Sequence, residues 1–441
     1  MRWSNDCIIS LSISPTISND ELTDMPRAAN IVGVVFVQFL SVTNAQAEDT
    51  SARVLPQEVS LLDATFYCYF PIEKRYGPDG DSEALAADFN TDLNSRVFPA
   101  LSGLSPLVGG NATLGQSVVD SRLTSRFSEF NLAYGLTDKL TLVVKVPYGY
   151  VKNEIRAGLD ASQANVGRNP LFGTPSDPFH SPLIPIAAGG IRLTDEDIQN
   201  LLGQGLDVNR DGVTDIPGYG YERFETFTDS GIGDIELYAK YQFYDRKPWR
   251  LAVASGLRFP TGKVKDIDNL AALDFGDGQT DILFRFHVDY GVTENLQLNF
   301  TTRYDLQLPD HQTLRVPNSV DQPITRDIET ADRNLGDILG LDLIGLYQFA
   351  PEWSASLRYS FARKFQDDID GNSGLPYSSL EQESESENQR VAVTLGYSTL
   401  QRYRDKTAKT PFYANLTYRN RFAGENAVVS QYVSLNIGVL F

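Results

Sequence analysis

Val429–Phe441 reads V-S-Q-Y-V-S-L-N-I-G-V-L-F, and the reading of this stretch decides the fold. From Val433 every second residue (Val433, Leu435, Ile437, Val439, Phe441) is apolar, while Ser434, Asn436, Gly438 and Leu440 between them are mostly small or polar. Successive side chains of a strand point to opposite faces, so strict alternation describes a strand with a different solvent on each side. A soluble sandwich alternates as well. The deciding facts are that similar strands recur upstream and that the sequence stops inside one. An unpaired last strand would be an open edge, which natural sheets avoid. Pairing it with the first strand removes the edge and closes a barrel, and that pairing is the expectation here.

Working back from this strand, alternation recurs at Phe130–Leu136, Leu140–Tyr150, Ile235–Phe243, Trp249–Phe259, Ile282–Tyr290, Leu296–Tyr304, Leu339–Phe349, Trp353–Phe361, Val391–Tyr397 and Phe412–Phe422. Short turns fall near 135–139, 244–248, 291–295, 350–352 and 401–411, and long connections near 151–230, 260–279, 308–336 and 365–388. Short turns at one end and long loops at the other are the asymmetry of outer-membrane barrels. Tyr134, Phe243, Trp249, Tyr290, Phe349, Trp353, Phe412 and Phe441 gather at the short-turn ends, where an interfacial girdle belongs. Eleven strands follow Thr124, and the first runs toward a short turn, so parity requires one rising strand earlier; Val59–Phe70 is the best candidate, giving twelve. The expected fold is all-β: a transmembrane antiparallel up-and-down β-barrel of about twelve strands with long extracellular loops.

Composition agrees. The chain has 441 residues, and no run of apolar residues is long enough for a transmembrane helix. A mean hydropathy of -0.25 suits a barrel in which half of the strand residues face water. The net charge of -19 argues against nucleic acid and anionic lipid surfaces as partners. Residues 1–24 are polar and irregular. Met25-Pro-Arg begins a basic segment, Ile31–Val42 is apolar and Ala45-Gln46-Ala47 resembles a cleavage site, so 25–47 reads as a signal peptide. Cys7 precedes that cut, leaving Cys68 as the mature chain's cysteine. Residues 48–123 are mixed and hold the first strand, with a Gly/Pro/Ser-rich stretch at 102–116. The barrel then occupies 124–441, interrupted by a long extracellular insertion at 151–230.

Parity assigns Lys145, Glu236, Lys240, Arg258, Asp281, Arg285, His287, Arg303, Asp305, Asp342, Arg358, Arg419 and Arg421 to the inner face. Charges of both signs there would line a hydrated pore and set its selectivity; the pore-lining candidates are Lys145, Lys240, Arg258, Arg285, His287, Arg303 and Arg358. The alternative is that the charges pair and fill a narrow barrel. In the insertion, D-V-N-R-D-G-V-T-D (207–215) places Asp207, Asn209, Asp211, Val213 and Asp215 at alternate positions, as in an EF-hand-type calcium loop. Gly218 stands where a bidentate Glu is expected, and the plainer alternative is an Asx-rich turn. Any calcium would be structural, and no cofactor is required. Leu193–Leu206 ahead of the loop reads as a helix capped by Thr194, with Ile198, Leu201 and Leu202 on one face. His180, His287 and His311 are the three histidines, and none has a recognisable triad setting. The chain is read as a non-enzyme.

Y-G-L-T-D-K-L-T-L-V-V-K-V-P-Y (134–148), G-I-G-D-I-E-L-Y-A-K-Y (231–241) and G-L-R-F-P-T-G (256–262) occur in that order. In this arrangement the region from Thr124 onward resembles the outer-membrane transporter family associated with the meta-pathway of phenol degradation. The resemblance implies a channel for passive uptake of small, often aromatic, solutes in the outer membrane of a Gram-negative bacterium. The partners implied are small-molecule solutes, outer-membrane lipid and the barrel-assembly machinery. The other function classes are a structural or adhesive barrel without a pore and a barrel-embedded lipid-modifying enzyme.

Overall fold

The computed structural model describes residues 50–318 and 324–441. The extension expected at 1–24, the signal peptide at 25–47 and Cys7 lie outside the described residues. The barrel strands are β1 (Ser60–Tyr69), β2 (Thr113–Thr137), β3 (Leu140–Asp160), β4 (Ile235–Arg246), β5 (Trp249–Phe259), β6 (Asp281–Gly291), β7 (Leu296–Gln307), β8 (Ile338–Gln348), β9 (Trp353–Lys364), β10 (Ser386–Ser398), β11 (Phe412–Glu425) and β12 (Gln431–Leu440). Each pairs with its sequence neighbours, and β12 also pairs with β1 from Leu61↔Leu440 to Tyr69↔Tyr432. Ser60 and Phe441 exchange backbone hydrogen bonds at 2.8 and 3.0 Å, closing the ring at the short-turn end. The first strand inferred by parity is β1, within one residue at either end.

The two faces are inverted relative to a soluble protein. Leu62, Phe66, Leu132, Val253, Phe284, Leu343, Leu357, Val393 and Leu416 are exposed on the outside, while Asp63, Glu236, Lys240, Asp281, Arg285, His287 and Asp342 are buried within. Leaving a Leu- or Phe-sized side chain in water rather than in an apolar medium costs about 1.5–3 kcal/mol each. An outer band of such residues all round the cylinder is stable only against lipid. At the short-turn end the belt aromatics stack in neighbouring pairs. Trp249 and Tyr290 have ring centroids 4.5 Å apart, and Trp353 and Tyr397 5.0 Å.

Three features depart from the sequence expectation. First, the insertion expected at 151–230 starts later, because β3 continues to Asp160 and β2 already begins at Thr113. Their hairpin outruns the barrel wall: β1 pairs β2 only as far as Cys68↔Arg126, and β4 pairs β3 only from Leu140 to Lys145. At about 3.3 Å per residue, the projecting part of β2 is on the order of 40 Å long. Phe227–Ile232 returns along β3 before β4 begins. Second, the stretch at 102–116 is ordered, as a 3-10 helix (Pro99–Val108) followed by the start of β2. With 161–226 it forms a small unit on the hairpin that has its own core, including Phe98, Leu101, Leu114, Val166, Leu183, Leu201, Leu206 and Val208. Third, the β11–β12 connection at the long-loop end is short, whereas 70–112, at the same end, is long.

The capped helix is present but shorter than expected. It is α1, Asp195–Leu202, and Gly203 ends it. The Thr194 hydroxyl accepts from Asp197 N at 3.3 Å and the Asp197 carboxylate accepts from Thr194 N at 2.9 Å, satisfying two free helix N–H groups reciprocally. Leu201 lies in the small unit's core with Ile198 packed against it, and Leu202 is buried beside them in the chain.

Candidate functional site: the barrel lumen

The inner positions of β1–β12 enclose a lumen closed by one segment at the short-turn end and by an apolar cluster at the long-loop end. At the short-turn end the closure is the stretch that precedes β1. Glu58 N donates to Gly135 O at the rim (2.8 Å). Further in, Leu55 N donates to Thr141 Oγ1 (2.8 Å) and Arg53 Nη2 to Gln297 Oε1 (3.1 Å). Ala52 N and Ser51 Oγ donate to the two oxygens of Asp289 (3.0 and 2.8 Å), and Gln242 Nε2 donates to Ala52 O (2.9 Å). Thr301 Oγ1 donates to Thr50 O (2.9 Å), and Thr301 Oγ1 also pairs with His287 Nδ1 (3.0 Å). Thr50, Ser51 and Ala52 are buried. An extended segment without sheet partners must satisfy its backbone through side chains when it is buried, and the inner faces of β3, β4, β6 and β7 supply them.

Above the segment, β4 to β9 carry an ion-pair wall of two adjacent groups. Arg258 meets Asp281 (2.6 Å), Glu236 (2.9 Å) and Asp305 (3.2 Å). Arg285 meets Glu236 (3.3 Å) and Asp305 (3.4 Å). Asp342 lies between Arg358 (2.9 Å) and Arg303 (3.6 Å). Four arginines thus stand against four carboxylates, and this wall is formally neutral. The expected lumen residues Lys145, Lys240 and His287 are also inside, with Lys145 paired to Glu129 at 2.9 Å and Lys240 and His287 fully buried. Every pore-lining candidate thus lies on the inner face of the barrel. The arginines among them meet acids, so they brace the wall.

Beside the ion-pair wall, β1, β2, β4 and β8–β12 bound a cavity of about 190 Å³ whose lining includes Asp63, Thr65, Asn131, Arg358, Asn415, Arg419 and Tyr432. Asp63 is held by neutral partners: Asn131 Nδ2 (3.0 Å), Asn436 Nδ2 (3.2 Å) and the Tyr413 hydroxyl (3.2 Å) all donate to it.

At the long-loop end an apolar cluster crosses the mouth. Ile72, Leu123 and Val151 are its buried centre, with Tyr69, Leu85, Phe127, Phe227, Leu273, Phe275 and Val428 packed on them. Phe275, from the β5–β6 loop, fits because Gly149 has no side chain: a Cβ there would lie 2.7 Å from the rings of both Phe127 and Phe275. Asp234 ties the same loop down, its carboxylate accepting from Gly262 N (2.8 Å) and Asp277 N (3.2 Å). Burial raises the pKa of Asp234 and of Asp274 above the ordinary carboxylate value.

The Asp207–Asp215 loop lies in the small unit, away from the lumen. Asp207 accepts from the backbone N–H of Arg210 (2.6 Å), Asp211 (3.2 Å) and Gly212 (2.8 Å), and Asp215 accepts from Val208 N (2.8 Å). Asn209 and Asp211 accept from Asp211 N and Val213 N in turn. The carboxylates therefore serve as Asx-turn acceptors. Among the described residues no three of His, Cys, Asp and Glu converge as a metal-binding group. The histidines are dispersed: His180 is in the insertion, and His311 pairs with exposed Asp332 on the outer sheet at 310–334.

Sequence reasoning missed the segment at 50–58, Asp289, Asp63 and Arg390. Arg390 was within reach by parity, two residues before inward-facing Ala392, but apolar alternation in β10 starts only at Val391.

No curated protein matches the sequence. Among solved structures, an outer membrane channel from Pseudomonas putida F1 overlays with a TM-score of 0.50 at 14% identity, covering 90% of this chain and 100% of that one. The Ralstonia pickettii toluene transporter TbuX overlays more loosely, with a TM-score of 0.33, 13% identity and 88% and 90% coverage. The first of these shares the barrel fold. The family model described as "Putative MetA-pathway of phenol degradation" matches residues 188–430, more than half of the chain, and spans two of the three motifs quoted above. The chain, a twelve-stranded barrel of the outer-membrane type, belongs to this phenol-degradation family.

Proposed function

We propose that the protein is a passive channel in the outer membrane of a Gram-negative bacterium, admitting small aromatic or mildly anionic solutes, and that the arrangement described here is its closed state. The long loops face outward, the short turns face the periplasm, and the closing strand β12 is handed over during insertion by the barrel-assembly machinery. The observation that carries this reading is the nature of the two closures. The short-turn closure is the segment before β1, held largely by side chains, and the mouth cluster is completed by Leu273 and Phe275 of the β5–β6 loop; both can withdraw while the wall stays hydrogen-bonded. Between them lies a polar lumen with a cavity of about 190 Å³, the scale of a single-ring solute. The family's association with phenol degradation favours aromatic cargo.

A structural or adhesive barrel could be filled by paired charges but has no need of the cavity of about 190 Å³ that they leave open. A lipid-modifying enzyme needs a nucleophile and base that reach lipid, whereas the buried His287–Thr301 pair holds the backbone at Thr50 instead. Proteoliposome swelling tests the proposal. Vesicles containing the purified protein should admit phenol-sized and benzoate-sized solutes faster than protein-free vesicles and should exclude disaccharides. Equal rates for both vesicle types would reject the channel.

A further inference from the structure

Three lumen arginines stand outside the ion-pair wall. Arg390 on β10 faces Arg421 on β11 in register, and Arg419 lies two residues from Arg421 on the same face. Arg419 is in turn opposite Tyr432 of β12, and Tyr432 is opposite Tyr69 of β1. The alternation places all of these inward, since Tyr418 and Phe422 are exposed outside and Asn415, Ala392 and Tyr432 are buried. The Nε of each of the three arginines is buried without a hydrogen-bond partner. Among the described residues no carboxylate lies within ion-pair distance of any of them. Arg421 Nη1 donates to Val428 O (2.7 Å), and the Arg419 guanidinium lies 5.7 Å from the Tyr432 ring centre.

Like charges directly opposite one another on adjacent strands repel, and in a partly buried site water screens that repulsion less. The wall at β4–β9 shows that this barrel supplies a carboxylate where it needs one. Here it supplies none, and it adds two tyrosine rings with centroids 4.7 Å apart, Tyr69 and Tyr432. We infer that Arg390, Arg419 and Arg421, with Tyr69 and Tyr432, form a binding subsite for an aromatic carboxylate, between the apolar mouth cluster and the lumen cavity. The guanidinium forks take the carboxylate oxygens through charge-assisted bonds, and the tyrosines offer faces and edges to the ligand's ring. Tyr69 belongs to the mouth cluster and Tyr432 lines the cavity, so the subsite spans the step that a solute takes on passing the seal.

The subsite deepens the channel reading, and its use in transport rests on it; the binding itself does not. The test is isothermal titration of the detergent-purified full chain with benzoate, repeated with cyclohexanecarboxylate and with chloride. Saturable benzoate binding is expected, about tenfold or more weaker in the double variant Arg390→Gln, Arg419→Gln, with cyclohexanecarboxylate weaker than benzoate. Retained unboiled gel mobility checks folding. Should the double variant not fold, Arg390→Gln alone carries the test, because that guanidinium makes no hydrogen bond among the described residues, and Arg390→Lys should restore part of the affinity. Absence of saturable benzoate binding overturns the inference, as does binding indifferent to these substitutions or matched by chloride. Planar-bilayer recordings on the same samples separate the two readings. A protein that conducts but does not bind benzoate loses only the subsite; one that binds benzoate but never conducts loses only the channel.

Discussion

Replacing Asp289 by Asn should loosen the hold of the lumen on the segment at 50–58. Asp289 Oδ1 accepts from Ala52 N (3.0 Å) and Asn299 Nδ2 (2.7 Å), and Oδ2 accepts from Ser51 Oγ (2.8 Å). Two of these three bonds tie the segment. Hydrogen bonds to a charged group contribute about 1.5–3 kcal/mol each, against about 0.5–1.5 for neutral pairs. Asn keeps the shape and removes the charge, so each tying bond should weaken by about 1–1.5 kcal/mol, together about 2–3 kcal/mol. At 1.4 kcal/mol per factor of ten, the ratio of seated to released segment falls roughly 30- to 150-fold. The contacts at Thr301, Gln242, Gln297 and Thr141 remain, so the segment loosens without abandoning its path. Hydrogen exchange reads the change directly at the Ala52 amide, whose bond is one of the two weakened. Its protection should fall by about that factor while strand amides such as those of β6 and β7 keep theirs. Unchanged protection at Ala52 in a folded variant would refute the latch assigned to Asp289.

Three further outcomes follow from the same geometry. Gly149→Val should drive Phe275 out of the mouth, since overpacking costs about 1–3 kcal/mol; protease cleavage within 260–280 should accelerate, and unaltered cleavage would count against the seal. Burial raises Asp274 above its ordinary pKa, so the docked loop favours the protonated carboxyl. That stabilisation is complete below the ordinary value and is lost as pH rises through the raised one. Cleavage of the loop should accordingly quicken over that window, and Asp274→Asn should flatten the dependence. Deleting Phe441 removes both backbone bonds to Ser60 and a ring at the short-turn girdle. The yield of folded, heat-modifiable protein should drop, and an undiminished yield would argue against a closing role for that residue.

What was legible in the sequence follows from what each residue faces. The barrel strands could be read because lipid on one side and a polar lumen on the other enforce alternation along β4 to β12. Even β1, whose pattern is weak, was recoverable by parity, because a strand cannot start from the wrong side of the membrane. The same signal vanishes in the projecting halves of β2 and β3, where protein or water replaces lipid, and there the insertion was placed too early. Parity also turns Arg258 and Arg285 inward, but pairing is a property of neighbouring strands: Arg258 meets Asp305 two strands away in the sheet. The segment at 50–58 has no periodicity at all. Its partners are single polar side chains far along the chain, such as Asp289 for Ser51, and nothing local in Ser-Ala-Arg announces them. The Asp207 loop shows the converse, a motif whose spacing suits both calcium and a self-bonded turn.

The central claim is that a continuous path runs through the lumen once its two accessory closures yield. Ionic current through single molecules in a planar lipid bilayer tests it most directly, comparing the natural chain with Asp289→Asn and Gly149→Val together. The expected result is rare openings in the natural chain and frequent openings of similar unit conductance in the double variant. With Arg390, Arg419 and Arg421 unneutralised by protein acids, the reversal potential under a salt gradient should show a preference for anions. A folded double variant that stays as silent as the natural chain would contradict the account, because loosening both closures would then leave the openings no more frequent, as a lumen filled by its own wall requires.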